Sequence, residues 1–304
     1  MKYAVFSPRS LLTMTWWQTE RYKDKDAIIC DGSIRSSKTV SMSIGFILWS
    51  CSCFNGKTFA ICGKTIESLR RNVITQLPTL FEGLCKITER KSENLMVVSL
   101  DGRVNKYYLF GGKDEGSAAL IQGMTLAGVM FDEVALMPRS FVEQGIARCS
   151  LKNAKLWVNC NPEHPQHWFY REWIQKAESR NALYLHFTME DNPSLSEDVR
   201  KRYRTMFSGA FYSRFIEGKW TAATGLIYPF ALDLLCEVPK ADFERYAVSI
   251  DYGTVNPTSM GLWGLLCGVW YRADEYYFDA RLENTRRTDE EHFKGFLELI
   301  RGRT

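Results

Sequence analysis

In the first two-thirds of the chain, short apolar runs alternate with stretches whose apolar residues recur at helical spacing. Ala27-Ile28-Ile29-Cys30 precedes a helical pattern over residues 40–52, and residues 57–62 precede one over 65–81. The run 126–131 precedes 140–148, the run 155–160 precedes a short helix begun by His167-Trp168-Phe169-Tyr170, and the run 184–187 precedes 197–207. Runs without polar interruption predict strands buried on both faces. Their alternation with helices predicts an α/β unit with a mainly parallel sheet. Residues 95–100 and 106–110 flank Asp101-Gly102 as a hairpin, and 111–117 read as a flexible connection. A helix is expected within the first 26 residues, ahead of the first strand.

The pattern changes after Gly218. A linker over 220–225 leads into 226–230, and beyond it residues 247–253, 259–269 and 270–282 predict three antiparallel strands before an amphipathic helix over 289–300. These boundaries predict two domains, 1–222 and 223–304. No internal repeat or low-complexity tract interrupts either.

Polar residues at strand ends carry the candidate chemistry. Gly32-Ser33-Ile34-Arg35-Ser36-Ser37-Lys38-Thr39 joins the first strand to its helix and fits Gly-x4-Gly-Lys-[Ser/Thr], except that Ser37 replaces the second glycine. In such a loop the backbone N–H groups cradle phosphates, Lys38 reaches the β- and γ-phosphates, and the Thr39 hydroxyl ligates Mg²⁺. A polar turn with an ordinary helix cap is the competing reading. Asp132-Glu133, which closes an apolar run, decides between them. Asp132 suits a carboxylate that holds Mg²⁺ and Glu133 an acid that polarises the attacking water, so loop and acids together predict an ATPase. Asn159-Cys160-Asn161-Pro162 ends the next buried run, where Asn161 is placed to sense the γ-phosphate or the water; a strand-terminating turn is the alternative. Among Arg35, Arg139 and Arg148, Arg35 is the favoured stabiliser of transferred charge because the loop itself carries it toward phosphate.

Composition narrows the class without naming a reaction. With 45% apolar and 24% charged residues in 304, the chain reads as globular, and a formal charge of +4 permits nucleic acid without demanding it. Nine scattered cysteines predict reduced, buried thiols; Cys51-x-Cys53 is too close for a zinc pair, and Pro162 and Pro165 keep His164 and His167 off a common helix face. No run is long enough to span a membrane, and no signal peptide is evident, so a cytosolic protein is expected. The basic helix with Arg200, Lys201, Arg202 and Arg204 is read as a solvated face.

The combination resembles the large terminase subunit of tailed bacteriophages and prophages. Ile34-Arg35-Ser36-Ser37-Lys38-Thr39 is similar to that family's Ile-Arg-Ser-Gly-Lys-Thr loop, and residues 129–138 to its acidic motif. Asn161-Pro162 with 167–170 resembles its coupling region; Asp191-Asn192-Pro193 and Gly218-Lys219-Trp220 also match. The resemblance implies a P-loop NTPase of the ASCE type that uses ATP and Mg²⁺ to drive double-stranded DNA into a procapsid. Its implied partners are a portal protein and a small terminase subunit, with the motor a homo-oligomeric ring in the cytoplasm of the bacterial host. It further implies an RNase H-like nuclease with two Mg²⁺ or Mn²⁺ ions. Ile250-Asp251-Tyr252-Gly253 matches that nuclease's first metal-binding strand, which makes Asp251 its catalytic and metal-binding residue here. The family's other carboxylates are expected after the first nuclease helix, where this chain stops at Thr304, so an incomplete domain without DNA cleavage is expected. Two other readings stand beside the motor: a helicase-like P-loop ATPase, and a nonhydrolysing prophage remnant that Ser37 would favour.

Overall fold

The computed structural model describes residues 6–222, 236–254, 256–283 and 285–303. The chain divides into two compact units, Met1–Ile227 and Tyr228–Thr304. The domain boundary expected near 223 and the run 226–230 lie outside the described residues.

The first unit opens with helix α1 (Pro8–Thr15), begun by Pro8 and by Ser7, whose side chain accepts from the Ser10 amide. An eight-stranded sheet follows: β1 (Ala27–Gly32), β2 (Thr58–Gly63), β3 (Lys86–Arg90), β4 (Leu95–Leu100), β5 (Arg103–Gly111), β6 (Gly128–Phe131), β7 (Lys155–Asn159) and β8 (Ala182–Phe187). Its order is β3-β4-β5-β2-β6-β7-β1-β8. From β5 to β8 every neighbour is parallel, and β3-β4-β5 is antiparallel. The unit is thus the P-loop NTPase-like α/β fold expected, with β7 standing between the loop strand β1 and the acidic strand β6.

Alternate residues of β1 enter two cores. Ile28 and Cys30 join Phe46, Trp49, Phe59 and Trp157 on one face, and Ala27 and Ile29 join Phe131, Phe141 and Val158 on the other. Every residue of β1 and β6 is buried, which is why β6 and the first four residues of β1 read as unbroken apolar runs. Helices α2 (Lys38–Cys53), α5 (Arg139–Ala147) and α6 (Glu197–Met206) match the predicted patterns closely.

Four local features differ from the expected pattern. The helix expected over 65–81 breaks into α3 (Ile66–Asn72), a 3₁₀ turn (Ile74–Gln76) and α4 (Leu77–Leu80); Pro78 has no N–H to continue the ladder. Strand β3 carries one apolar residue, Ile87, amid charged neighbours, too little to signal a strand. The flexible connection after Gly111 contains a 3₁₀ turn (Glu115–Ile121) capped reciprocally by Asp114 and Ser117. A further helix, α7 (Gly209–Phe215), follows α6.

The second unit pairs β9 (Arg245–Asp251), β10 (Thr258–Leu266) and β11 (Val269–Phe278) antiparallel in the order β11-β10-β9. Cys267 and Gly268, both at positive φ, make the tight turn between β10 and β11. Helix α8 (Asp289–Leu299), capped by Thr288 with Glu291, packs a small core of Met260, Leu262 and Leu299. Among the described residues no helix is long and apolar enough to cross a membrane.

Candidate active site

Parallel neighbours end at the same sheet edge, so β1, β7 and β6 bring the loop 32–39, Asn159–Asn161 and Asp132–Glu133 together. Gly32 lies at φ +129°, where a Cβ would sit 1.9 Å from the Phe187 carbonyl oxygen. Only glycine fits. The amide of Ser33 donates to the Phe187 carbonyl (2.9 Å) and that of Ile34 to the Phe215 carbonyl (3.0 Å). Those two donors are spent on neighbouring backbone, whereas the N–H groups of the first turn of α2 have no intrahelical partner and can face an anion.

Ser37 adopts the left-handed conformation, φ 66° and ψ 10°, that glycine supplies freely and other residues for about 1–2 kcal/mol. Its hydroxyl lies 2.6 Å from the Ser36 carbonyl, 3.1 Å from the Asp191 carbonyl and 3.2 Å from Ser10 Oγ. Hydrogen bonding of this kind offsets a strain of that size. Arg35 is also left-handed; its carbonyl accepts from Asn192 Nδ2 at 2.7 Å while its side chain is exposed. Ser36 Oγ donates to the Ser33 carbonyl at 2.8 Å.

Lys38 is buried. Its Nζ lies 2.6 Å from the Ser33 carbonyl, 3.0 Å from Ser36 Oγ, 3.1 Å from the Gly32 carbonyl and 3.2 Å from Asn161 Oδ1. Burial lowers its ammonium from the ordinary 10.5 to about 8, against the pull of nearby negative groups that include Asp31 and Asp132.

Asp132, also buried, receives two neutral donors on one oxygen: Thr39 Oγ1 and Asn159 Nδ2, each at 2.9 Å from Oδ1. Burial raises its pKa, while those bonds and Lys38 pull it back. Glu133 follows in the left-handed region, φ 61° and ψ 49°, with its amide donating to Asn159 Oδ1 at 3.0 Å. Burial first, and then the charge of Asp132, raises the Glu133 carboxyl; Lys38 and Arg71 oppose the rise. A carboxylate shifted toward neutrality is a better proton acceptor at working pH. The two asparagines therefore divide their work: Asn159 orders both acids, and Asn161 meets Lys38. A cavity of about 110 Å³, room for a few waters, is bounded by Glu133, Leu136, Asn161, Glu163 and Phe215.

Two of the three candidate arginines are occupied or withdrawn. Arg139 pairs with Glu143 at 2.6 Å and Glu172 at 2.8 Å, and the Nε of Arg148 is buried without a hydrogen-bond partner. On α6, Arg200 and Arg204 pair with Glu190 and Glu197. Asp251 is exposed at the end of β9, paired in register with Ser259. Among the described residues no three His, Cys, Asp or Glu side chains gather to hold a metal ion.

Three supporting residues escaped the sequence pattern. Arg214, buried on α7, binds Glu163 at 2.5 Å and the Pro162 carbonyl at 3.1 Å, fixing the turn after Asn161. Arg9 binds Asp191 at 2.8 Å, steadying the turn that meets Ser37. Asp31, wholly buried just before Gly32, breaks the apolar character of β1 directly after the predicted run 27–30. That interruption was its available signal.

Residues 29–232 match the family model described as terminase large subunit, T4likevirus-type, N-terminal. A structure of the large terminase from a thermophilic bacteriophage shares 48% identity over 99% of this chain and 75% of its own, with a TM-score of 0.71. The same phage protein in complex with ADP matches 98% of this chain and 75% of its own at 48% identity and TM-score 0.70. In complex with ATP-gamma-S it matches 99% and 75% at 47% identity and TM-score 0.69. Comparison with curated protein sequences returns no match.

Proposed function

The chain belongs to the terminase large-subunit family and is a DNA-packaging ATPase; from that premise we propose that ATP is bound and hydrolysed at the edge formed by residues 32–39, Asp132, Glu133, Asn159 and Asn161. The observation that carries this reading is the shared oxygen of Asp132, which fastens Thr39 and Asn159 together and so joins the loop to both strand ends.

The first turn of α2 and the Lys38 ammonium hold the β- and γ-phosphates, Lys38 exchanging the loop carbonyls for phosphate oxygens. Arg35 lies in the loop with its side chain in solvent, available to the charge that develops on the transferred group. Glu133 accepts the proton of the attacking water, its carboxyl oriented by the Asn159 hydrogen bond to its own amide. The Thr39 hydroxyl and the Asp132 carboxylate are hard oxygen donors that fit Mg²⁺, and that ion, when bound, supplies charge neutralisation on the phosphates. In the same reading the substrate to be moved is double-stranded DNA, the partners are a portal protein and a small terminase subunit, the motor is a homo-oligomeric ring, and the site of action is the host cytoplasm. Among the described residues no three carboxylate, imidazole or thiol side chains gather at Asp251 to hold the ions of a two-ion nuclease centre.

The test is ATP turnover by the purified chain, with and without DNA and portal, in the wild type and in Lys38→Ala and Glu133→Gln. Loss of turnover in both variants with unchanged folding is expected. Wild-type turnover in either would refute the role assigned to that residue.

A further inference from the structure

The motif Gly218-Lys219-Trp220 and the buried Asp31 have no part in the chemistry above, yet they meet behind the phosphate loop. Asp31 precedes Gly32 on β1 and has no exposed surface. Leaving a carboxylate there without partners would be costly. Three donors surround it: Tyr184 Oη at 2.9 Å and His186 Nδ1 at 2.9 Å on Oδ1, and Trp220 Nε1 at 2.7 Å on Oδ2. The first two come from β8, where His186 is the register partner of Asp31. The third comes from residues expected to form a linker, but Trp220 is fixed in the first unit, stacked on Tyr170 at 4.8 Å.

His186 faces an acceptor on each side. Its Nδ1 meets Asp31, and its Nε2 lies 3.3 Å from the Glu217 carbonyl oxygen. A neutral imidazole has one N–H and can satisfy only one of these; the imidazolium satisfies both. Next to Glu217, Gly218 is at φ +70°, and a Cβ there would lie 2.6 Å from the Ser33 amide nitrogen and 2.8 Å from Gly32 Cα. The segment therefore presses its backbone directly against the loop's first two residues.

We propose that Asp31, His186 and Trp220 form a latch that fastens residues 217–220 to the back of the phosphate loop, with a cationic His186 as a positioning residue for ATP turnover. The proposal deepens the reading of residues 32–39 as the ATP site and rests on it. The charged and titratable groups facing His186 agree. The hydrogen bond and charge of Asp31 and the Glu217 carbonyl raise its pKa, while burial and the Lys38 charge lower it; the net direction is upward. Tyr184 is itself pushed up, chiefly by burial and then by Asp31, and so remains a neutral donor. The Glu217 side chain is engaged elsewhere, with Lys219 at 3.2 Å and Ser213 Oγ at 2.9 Å. As pH rises through the raised value, His186 loses the proton facing Glu217, and the buried Asp31 loses its counter-charge.

The experiment joins NMR titration of the His186 ring to steady-state ATP turnover between pH 6 and 9, in the full chain and in His186→Gln, His186→Arg, Trp220→Phe and Asp31→Asn. In the wild type, His186 should titrate above the ordinary 6.5, and Asp31→Asn should bring it down. His186→Gln should lower kcat about tenfold at pH 7 and flatten the part of the alkaline fall in kcat that follows the His186 titration, leaving that of Lys38, and His186→Arg, with fixed charge and several donors, should restore most of the rate. Trp220→Phe tests the same contact if Asp31→Asn fails to fold; it should lower kcat with a smaller change in KM. A ring that titrates at or below 6.5, or a pH profile unchanged in His186→Gln, overturns the latch. Lys38→Ala separates the two readings: turnover that survives it refutes the ATP site, whereas the His186 titration judges the latch without reference to activity.

Discussion

Both units place an acid at the end of a strand, Asp132 after β6 and Asp251 closing β9, but among the described residues only the first enters a constellation. The sheet direction accounts for the difference. Around Asp132 the strands are parallel, so the polar ends of β1, β6 and β7 converge on one edge and share donors at 2.9 Å. Around Asp251 they are antiparallel, and the neighbour of the strand's end is the start of β10, which offers Ser259 and Thr258. Burial adds to the contrast. Strands β1 and β6 are buried along their whole length, and the polar Asp31 of β1 and Asn159 of β7 are held by specific partners; in the second unit Ile250, Tyr252 and Phe293 are all more than half exposed. An acid closing a strand thus becomes informative only with the direction of its neighbours.

The sharpest way to break this comparison is to neutralise both acids. Asp132→Asn should reduce ATP turnover by about 100-fold or more, the scale for losing a preorganised electrostatic group, whereas Asp251→Asn should leave turnover unchanged. The 304-residue chain should show no Mg²⁺- or Mn²⁺-dependent DNA cleavage that Asp251→Asn removes; a nicking assay that found such cleavage would place a working centre in the second unit. Next in size, amide hydrogen exchange should be far slower in β1, β6 and β7 than in β9 and β11, because few buried contacts protect the smaller core. Equal protection would mean that exposure does not separate the units.

Smaller effects sharpen the first unit. The raised value of His186 contributes stability that is fully present below 6.5 and is lost as pH rises through the raised value. The wild-type melting temperature should accordingly fall relative to His186→Gln across that window, and parallel curves would contradict it. Ser37→Gly should change stability by about 1 kcal/mol or less, since relief of the left-handed backbone and loss of the hydroxyl contacts oppose each other. Chemical denaturation can measure that balance.

Much of the first unit could be read from the sequence because two-sided burial writes itself as unbroken apolar runs, and because the loop and the acids stand where those runs end. What could not be read depends on meetings across the chain. Asn159 and Asn161 lie two positions apart in one polar tetrapeptide, but one orders the acids and the other meets the lysine; local sequence does not distinguish them. Strand β3 was hidden because a solvated edge needs only one apolar residue, and the partners of Asp31 lie on β8 and at residue 220, far along the chain. The interruption at Asp31 was visible, but its meaning required the fold.

The hydroxyl contact between Ser37 and Ser10 carries an evolutionary consequence. A chain that carries serine where glycine is usual has exchanged local freedom for dependence on α1, so the two positions should show epistasis. Ser10→Ala should be more harmful in the present background than in one carrying Ser37→Gly. Lineages with glycine at position 37 would then be free to vary residue 10, and a return from serine to glycine would leave Ser10 to drift.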